Sequence, residues 1–339
     1  MKTYLITGAA GFIGSHLAET LLKNGNKVIN IDNFNNYYDL KIKINNVLNS
    51  IDSGNMRSDN LKELKLKAES NNYKLEIVDI REKNELERVF KENKIDMVIN
   101  LAAMAGVRPS IEDPILYEEV NIKGFMNILE MCKKYKVKNV IQASSSSVYG
   151  NSKTVPFKET DVVDFAISPY AATKKSGEVI GHVYHSLYDI DMIQLRFFTV
   201  YGPRQRPDLA IHKFTKMITE GKEIPVFGDG TTERDYTYID DIIDGITKSI
   251  KYLEENTGVY EIFNLGESNT ISLNKMIATI EGALGIKAKI NRQSMQPGDV
   301  NRTNADISKA KRMLGYDPQM DFEDGIRKFV EWFKRKGKI

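Results

Sequence analysis

The stretch TYLITGAAGFIGSHLAETLL, residues 3–22, decides the fold. Its first five residues are aliphatic, aromatic or β-branched, which predicts a short buried strand. Three glycines at the spacing G-x-x-G-x-x-G follow, and residues 15–22 have a helical pattern. A glycine turn between strand and helix lets the backbone approach a pyrophosphate, whose charge then lies at the helix N-terminus. The stretch therefore predicts a dinucleotide-binding fold, and the alternative is a tight turn that binds nothing.

A carboxylate follows at the expected distance. A second strand-like segment, residues 27–31, ends in Asp32, which lies about 20 residues beyond the glycines, where an acid accepts hydrogen bonds from the ribose hydroxyls of NAD. A carboxylate there would repel a 2′-phosphate, and the next residue is Asn33, not an arginine. The sequence therefore favours NAD over NADP.

The rest of the chain alternates strand-like and helix-like segments, which indicates a parallel sheet with ligands at the carboxyl ends of its strands. The strand-like segments are 75–78, 97–103, 139–143, 192–198 and 261–265, and helix-like segments include 82–93, 114–135 and 238–253. We predict an α/β fold with a doubly wound, Rossmann-like parallel sheet and a smaller α/β substrate-binding lobe. Residues 1–199 plus about 237–265 would form the NAD-binding domain, and about 200–236 plus 266–339 the lobe.

Residues 36–72 are rich in Asn and Lys, and we predict helices near 39–49 and 59–70. Such a composition is typical of a solvated surface. We expect a solvated insertion in the first domain.

Composition excludes several classes of protein. The 339 residues carry 48 basic and 46 acidic side chains, a net charge of +2, which gives no electrostatic reason to expect a nucleic-acid partner. We find no apolar run of the roughly 20 residues that span a bilayer and no secretory signal before the first strand. Cys132 is the single cysteine, so we expect no disulfide and no metal site. We expect a soluble, cytoplasmic protein without a membrane partner.

The segment SPYAATK, residues 168–174, contains a candidate base. In a helix, residues four apart share one face, so the ammonium of Lys174 could stand beside the phenol of Tyr170. A neighbouring cation favours the phenolate over the phenol, whose ordinary pKa is about 10, and this suits proton abstraction from an alcohol. The alternative is an ordinary helix start after Pro169 with an exposed Tyr and Lys.

Seven motifs together resemble the extended short-chain dehydrogenase/reductase family, and within it the nucleotide-sugar epimerases, decarboxylases and dehydratases. The motifs span nearly the whole chain: TGAAGFIG, NLAA, ASSSSVYG, SPYAATK, RFFTVYGPRQRPD, FGDGTTERDYTYIDD and PGDVNRTNADISKA. The resemblance implies that Tyr170 is the base and that Ser145 hydrogen-bonds the reacting sugar hydroxyl. It also implies that Lys174 binds the nicotinamide ribose of NAD.

The resemblance implies an NAD site built from residues on several strand ends and their loops. These residues are Gly8, Gly11, Phe12, Ile13, Gly14, Asp32, Asn33, Asp79, Ile80, Leu101, Ala102, Ala103, Asn121, Tyr170 and Lys174.

The two residues before Val148 help to choose the reaction. Dehydratases of this family carry Asp-Glu there, and decarboxylases carry Glu before the valine. This chain has Ser146 and Ser147, whose hydroxyls can orient a substrate but cannot do that acid–base work. The pair disfavours elimination and decarboxylation and leaves epimerisation.

The second half resembles a site for a UDP-sugar. Arg234 matches a diphosphate-binding arginine, Phe227 a uracil-site phenylalanine and Asp299 a carboxylate on the uridine ribose. Arginine pairs bidentately with phosphate or carboxylate. Surface charge in a balanced protein is the alternative for these positions.

Three positions resemble UDP-glucuronate 4-epimerases in particular: Thr199, Arg206 and Arg108. In those enzymes the serine cluster and the threonine receive the sugar carboxylate. The chain departs from the pattern at Pro109, where many such enzymes have an aromatic residue. The alternatives are a UDP-glucose or UDP-N-acetylglucosamine 4-epimerase and, less favoured, a UDP-glucuronate decarboxylase or a non-catalytic NAD-binding scaffold. The family also implies a homodimer formed through a helix bundle, with helices near 114–135 and 170–188 as candidates.

Overall fold

The computed structural model describes residues 1–51, 58, 60–70, 72–294 and 302–336. Twelve strands lie in these parts of the chain. They are Thr3–Thr7 (β1), Lys27–Asp32 (β2), Tyr73–Ile77 (β3), Met97–Asn100 (β4), Asn139–Ala143 (β5), Asp191–Phe197 (β6), Thr199–Tyr201 (β7), Glu223–Phe227 (β8), Glu233–Tyr238 (β9), Tyr260–Leu265 (β10), Thr270–Ser272 (β11) and Lys289–Gln293 (β12).

Helices follow most of the strands. They are Phe12–Lys23 (α1), Leu40–Ser50 (α2), Leu61–Ala68 (α3), Lys83–Glu92 (α4), Val107–Glu112 (α5), Pro114–Glu118 (α6), Phe125–Tyr135 (α7), Pro169–Tyr188 (α8), Ala210–Thr219 (α9), Ile239–Glu255 (α10), Leu273–Leu284 (α11), Ser308–Leu314 (α12) and Phe322–Lys336 (α13). A π-helical segment, Glu119–Gly124, joins α6 to α7, and a 3₁₀ helix, Ser146–Tyr149, follows β5.

The main sheet has seven parallel strands in the order β10-β6-β5-β4-β1-β2-β3. Strands β1 to β3 extend the sheet in one direction, and β4, β5, β6 and β10 extend it in the other, so the direction changes between β1 and β4. This is the doubly wound topology, in which ligands bind beyond the carboxyl ends of the strands. The predicted fold class is confirmed.

Both faces of the main sheet are covered. Tyr4 and Ile6 of β1 belong to one buried apolar cluster, and Leu5 between them belongs to a second cluster. Because successive side chains of a strand point to opposite faces, these two clusters lie on opposite sides of the sheet. This burial explains why β1 and β4, in the middle of the sheet, are nearly continuous runs of apolar residues.

Two smaller sheets come from the second half of the chain. β7 pairs in parallel with β9, which pairs antiparallel with β11, and β8 pairs in parallel with β12. The chain returns to the main sheet between β9 and β11. There α10 packs against α1, and β10 forms the edge of the main sheet beside β6. The division into an NAD-binding domain and a substrate-binding lobe stays a prediction.

The expectation of a solvated insertion at 36–72 is wrong for α2. Lys43, Ile44, Asn46, Val47, Leu48 and Ser50 are all buried. α2 packs on α1, and its polar groups have partners there: Asn46 Nδ2 donates to Ala10 O at 3.0 Å, and Ser50 Oγ donates to Ser15 O at 2.9 Å. The polar composition was misleading because these side chains satisfy backbone carbonyls inside the protein.

None of the helices in the described ranges has both the length and the apolar character needed to cross a bilayer.

Candidate active site

A cavity of about 540 Å³ lies at the carboxyl ends of the parallel strands. It brings together most of the residues that the sequence predicted for the cofactor, the sugar and the chemistry. The predicted residues that line it are Gly8, Gly11, Phe12, Ile13, Gly14, Asp32, Asn33, Asp79, Ile80, Leu101, Ala102, Ala103, Ser145, Ser146, Ser147, Tyr170, Lys174, Thr199 and Arg206.

The glycine turn forms one wall of the cavity. Gly8 has a φ of +71°, which favours glycine, and a Cβ on Gly14 would lie 2.4 Å from Gly8 O and 2.6 Å from Ala9 Cα. Gly11 is the N-cap of α1 and has no side chain, so the cap gives no side-chain bond to the first amides of the helix. These amides carry the positive end of the helix dipole, and they can donate to a phosphate.

Asp32 lies at the end of β2 with both carboxylate oxygens engaged. Oδ1 accepts from Phe34 N at 2.8 Å, and Oδ2 accepts from Ala10 N at 3.3 Å. Lys43 Nζ stands 3.7 Å from Oδ1 and also donates to Asn35 Oδ1 at 2.9 Å. Burial raises the pKa of Asp32, and the charge of Lys43 opposes that shift.

Lys43 was missed from the sequence because it lies in the segment expected to be solvated. A weak signal was present: residues 43, 46 and 50 are polar at helical spacing, on the face of α2 that packs on α1.

The next strand end carries Asp79. Asn33 Nδ2 donates to Asp79 Oδ2 at 2.8 Å, and Arg81 holds the same carboxylate through Nε at 3.1 Å and a terminal nitrogen at 2.9 Å. Burial would raise the pKa of Asp79, but the bonds from Arg81 outweigh it, and the pKa lies below its ordinary value. This carboxylate is therefore ionised at neutral pH.

The start of α8 presents the predicted base. Ser168 caps the helix by accepting from Ala171 N at 3.1 Å, and Pro169 occupies the first turn, where its missing N–H costs nothing. Tyr170 and Lys174 are one turn apart and both reach the cavity.

Burial raises the pKa of the Tyr170 phenol above its ordinary value. Two groups oppose this shift: a hydrogen bond with Ser145 and the positive charge of Arg206. Lys174 is itself buried, and burial lowers its pKa to about 8. Its ammonium donates to Ala143 O at 2.8 Å, and Nζ lies 5.8 Å from the centroid of the Tyr170 ring.

The serine segment 144–147 turns over the end of β5. Ser145 Oγ accepts from Ser147 N at 3.1 Å and thereby caps the 3₁₀ helix, and the hydroxyl oxygens of Ser145 and Ser147 lie 3.1 Å apart. Ser144 is directed to the other side, where its Oγ donates to Glu178 Oε1 at 2.7 Å. The segment is fixed from both sides, so Ser145 has a defined position beside Tyr170.

A buried ion pair below this segment was also missed from the sequence. Arg196 of β6 donates to both oxygens of Glu178 of α8 at 2.8 Å, and each side chain is 1% exposed. Arg196 also donates to Tyr149 Oη at 2.9 Å, and that hydroxyl donates to Asn264 Oδ1 at 2.7 Å. The network joins α8, β6, β10 and the serine segment.

Arg206 lies in the loop between β7 and α9 and faces the same cavity as Thr199. Its guanidinium carbon is 5.0 Å from the centroid of the Tyr37 ring, and its Nε donates to Asp208 Oδ1 at 2.9 Å. The guanidinium is thus a positive charge near Tyr170, held by an aromatic face and one carboxylate.

Four predicted residues, Asn121, Arg234, Arg108 and Phe227, lie away from these walls, and a fifth lies outside the described ranges. Asn121, in the π-helical segment, bonds Met104 N and O at 2.8 and 3.0 Å and Thr173 Oγ1 at 3.0 Å, which ties the loop after β4 to α8. Arg234 donates to Glu233 O at 2.9 Å. The guanidinium carbon of Arg108 lies 4.9 Å from the centroid of the Phe227 ring.

Asp299 lies outside the described residues. The roles of this residue and of the other candidates stay predictions.

Comparisons with known proteins agree over nearly the whole chain. Residues 5–329 match the model of the GDP-mannose 4,6 dehydratase family. A UDP-glucuronate 4-epimerase of Thermodesulfobacterium geofontis is 44% identical over 98% of this chain and 97% of its own length. The crystal structure of a UDP-glucuronic acid 4-epimerase from Bacillus cereus with UDP-glucuronic acid and NAD matches with a TM-score of 0.87 and 37% identity, covering 98% of this chain and 99% of that one.

A UDP-glucose 4-epimerase from Thermotoga maritima, solved with UDP-glucose, has the same fold at a TM-score of 0.84, covering 98% of this chain and 99% of that one. Its sequence identity is lower, at 29%. Sequence similarity therefore separates the two kinds of epimerase more clearly than fold does.

Proposed function

The chain belongs to the GDP-mannose 4,6 dehydratase family of extended short-chain dehydrogenases/reductases, and from that premise we propose that it is an NAD-dependent UDP-glucuronate 4-epimerase. It interconverts UDP-glucuronate and UDP-galacturonate through a 4-keto sugar. The observation that supports this substrate most directly is the guanidinium of Arg206 in one cavity with Tyr170, because a cation there suits a carboxylate on the sugar.

The cofactor is NAD, and the residues present fit it. The close-packed glycines and the uncapped start of α1 suit a pyrophosphate, and Asp32 suits the ribose hydroxyls. Lys43 offsets part of the charge of Asp32, so identifying the dinucleotide that co-purifies with the protein is the direct test of NAD against NADP. When bound, NAD⁺ supplies the acceptor that takes hydride from C4 of the sugar and returns it.

Tyr170 transfers the proton. Its phenolate takes the proton from the C4 hydroxyl, and its phenol returns a proton when the hydroxyl is rebuilt on the opposite face. Ser145 hydrogen-bonds Tyr170 and orients the same hydroxyl. Arg206 stabilises the phenolate by its charge, and Lys174 fixes the start of α8 against the end of β5 through Ala143.

The 4-keto intermediate must be kept from losing CO₂. A 4-keto uronate is a β-keto acid, and it loses CO₂ when the bond from C5 to the carboxylate lies perpendicular to the plane of the keto group. Hydrogen bonds from Ser146, Ser147 and Thr199, with the charge of Arg206, hold the carboxylate away from that geometry. No carboxylic acid precedes Val148 in the serine segment, which agrees with a reaction that keeps the carboxylate.

We propose the uridine diphosphate site on the substrate-binding lobe, residues about 200–236 and 266–339. Arg234 would hold the diphosphate, and Phe227 and Asp299 the uridine. The contact of the Arg108 guanidinium with the Phe227 ring supports this site, since it joins α5 to the end of β8.

We also propose a cytoplasmic homodimer. Val179, Val183 and Leu187 form one stripe on α8 at a spacing of four residues, and they are 53%, 45% and 65% exposed. Met126 of the adjacent α7 is 41% exposed. An apolar stripe of this kind suits a helix-bundle interface with a second copy, and Val183→Glu should shift the molecular mass in solution from dimer to monomer.

The experiment that tests the function is an NMR time course with UDP-glucuronate, UDP-glucose and UDP-N-acetylglucosamine, without added NAD. Galacturonate signals that grow to equilibrium, with both neutral sugars unchanged, are the expected result. Turnover of the neutral sugars alone would keep the mechanism and overturn the carboxylate site. A 4-keto pentose as main product would identify a decarboxylase, and bound NAD without any turnover would identify a scaffold.

A further inference from the structure

The loop that carries Arg206 is held from outside the cavity by α1, the helix that begins at the glycine turn. The loop has an unusual backbone: Gly202 has a φ of +136°, and Arg204, which is not a glycine, has a φ of +65°. Non-glycine residues in the left-handed region are uncommon and persist when the surroundings hold them there.

Three contacts from α1 hold this backbone, and one of them is a long hydrogen bond, 3.5 Å, from Arg204 to Ser15 Oγ. His16 Nε2 lies 3.0 Å from Pro203 O, and because a carbonyl oxygen only accepts, Nε2 carries the proton. Arg204 donates from a terminal nitrogen to Glu19 Oε2 at 2.5 Å. The side chains of Arg204 and Glu19 are 12% and 22% exposed, so this ion pair is largely screened from solvent.

The loop is also held on its inner side. Gln205, which is 1% exposed, donates from Nε2 to Val200 O at 3.1 Å, and His212 Nδ1 donates to Gln205 O at 2.6 Å. Residues 203 and 204 are therefore fixed by α1 and residue 205 by β7 and α9. Arg206 follows immediately, with its guanidinium in the cavity.

We propose that Arg204 and Glu19 are positioning residues that set the place of the Arg206 guanidinium and thereby the selectivity for an anionic sugar. Neither residue lines the cavity among the described residues, so their effect passes through Arg206. The inference rests on the proposed function, because it assumes that Arg206 contacts the sugar carboxylate. In this arrangement α1, whose N-terminus would hold the cofactor phosphates, also positions Arg206, the residue that selects the sugar.

The test is a set of dissociation constants measured by calorimetry on the enzyme as purified, in a Tyr170→Phe background to prevent turnover. The ligands are UDP-glucuronate, UDP-glucose and UDP. Glu19→Gln removes the charge and keeps the shape. Arg204→Asn removes the guanidinium and keeps a residue that tolerates a positive φ.

Both variants should bind UDP-glucuronate about tenfold more weakly, with UDP and UDP-glucose unchanged within about twofold. In an Arg206→Gln background, the same two substitutions should cause no further loss. Lys23→Gln is the matched control, since Lys23 is the exposed partner of Glu19 at 2.7 Å and should leave all three constants unchanged.

An equal loss for all three ligands would identify a general structural role and overturn the proposal, as would losses that add to that of Arg206→Gln. If the protein prefers UDP-glucuronate and both variants bind it as tightly as before, the positioning role is overturned and the proposed function is not. If the Tyr170→Phe protein without further substitutions binds UDP-glucuronate and UDP-glucose equally, the proposed substrate is overturned as well.

Discussion

Lys174 donates to the carbonyl oxygen of Ala143 at 2.8 Å, while its ammonium stands 5.8 Å from the centroid of the Tyr170 ring. The carbonyl belongs to the last residue of β5, immediately before the serine segment. This bond therefore fixes the distance between α8, which carries the base, and the segment that carries Ser145. Lys174 thus has a geometric role, because it joins the start of α8 to the end of β5.

Replacing Tyr170 by Phe should reduce turnover by about 10²–10⁴-fold, because the variant loses the group that exchanges the hydroxyl proton. The bound dinucleotide should remain, as measured by absorbance after denaturation. Tyr117→Phe is the control: the Tyr117 ring packs edge-to-face on Tyr170 at 6.2 Å. Its hydroxyl shares Ala105 O with Tyr37, so its loss leaves that carbonyl bonded. Wild-type rates in Tyr170→Phe would remove Tyr170 as the base.

The pH dependence should depend on Arg206. Its charge lowers the pKa of Tyr170, so Arg206→Gln should raise that pKa. Since the base acts when deprotonated, the rising limb of kcat/KM should move to higher pH. Ser145→Ala should move it in the same direction, because it removes a bond that also lowers this pKa. A limb that stays at the wild-type pH in both variants would show that another group titrates.

The free energy of unfolding should depend on the Glu178–Arg196 pair. Glu178→Gln should cost about 3 kcal/mol at pH 7, because it leaves a buried guanidinium without a counter-charge. Adding Arg196→Met should recover part of the loss in a urea titration. A double variant no more stable than the sum of the two single losses would mean that the residues act independently.

The same pair predicts a pH effect on stability. Burial would raise the pKa of Glu178, but Arg196 outweighs it and the pKa lies below the ordinary 4.5. The stability gained from ionised Glu178 is therefore present above pH 4.5 and is lost as the pH falls below it. The difference in unfolding free energy between wild type and Glu178→Gln should shrink on acidification through that range.

Thr199→Ala should release more 4-keto pentose per turnover, because the carboxylate of the intermediate loses one restraint. Thr199→Ser keeps the hydroxyl and is the control. The ratio of pentose to galacturonate is read from the same NMR spectra. A product as pure as that of the wild type would show that Thr199 has no part in retaining CO₂.

Gly14→Ala should abolish or strongly weaken cofactor binding, because the new Cβ would meet backbone atoms at 2.4 and 2.6 Å. Gly282→Ala in α11 has no heavy atom within 4 Å of its Cβ and should stabilise the protein by up to about 1 kcal/mol. The two variants are compared by dinucleotide content and by melting temperature. Full cofactor content in Gly14→Ala would contradict the predicted phosphate cradle.

The sequence predicted those parts of the site that local spacing determines. Tyr170 and Lys174 are one helical turn apart, and the glycines and Asp32 sit at the ends of two neighbouring strands, so their proximity follows from secondary structure alone. The parallel pairing of the main sheet follows from the alternation of strands and helices. These features need no knowledge of tertiary packing.

The parts that the sequence did not reveal depend on packing between distant segments. Glu178 and Arg196 meet because of the register of α8 on β6, and Arg108 meets Phe227 across more than a hundred residues. Lys43 reaches Asp32 because α2 packs on α1, against what a polar composition suggested. Neither spacing nor composition encodes such contacts.

The edge strand β10 has a consequence for how the protein is made. β6 has all seven residues buried, and its outer neighbour is β10, at residues 260–265. A ribosome adding about 5–20 residues per second needs several seconds to go from the end of β6 to the end of β10. During that time β6 presents an edge of unpaired backbone N–H and C=O groups in the nascent chain, a known starting point for aggregation. Slow translation between these strands, or a truncation before residue 265, should therefore make the chain dependent on chaperones.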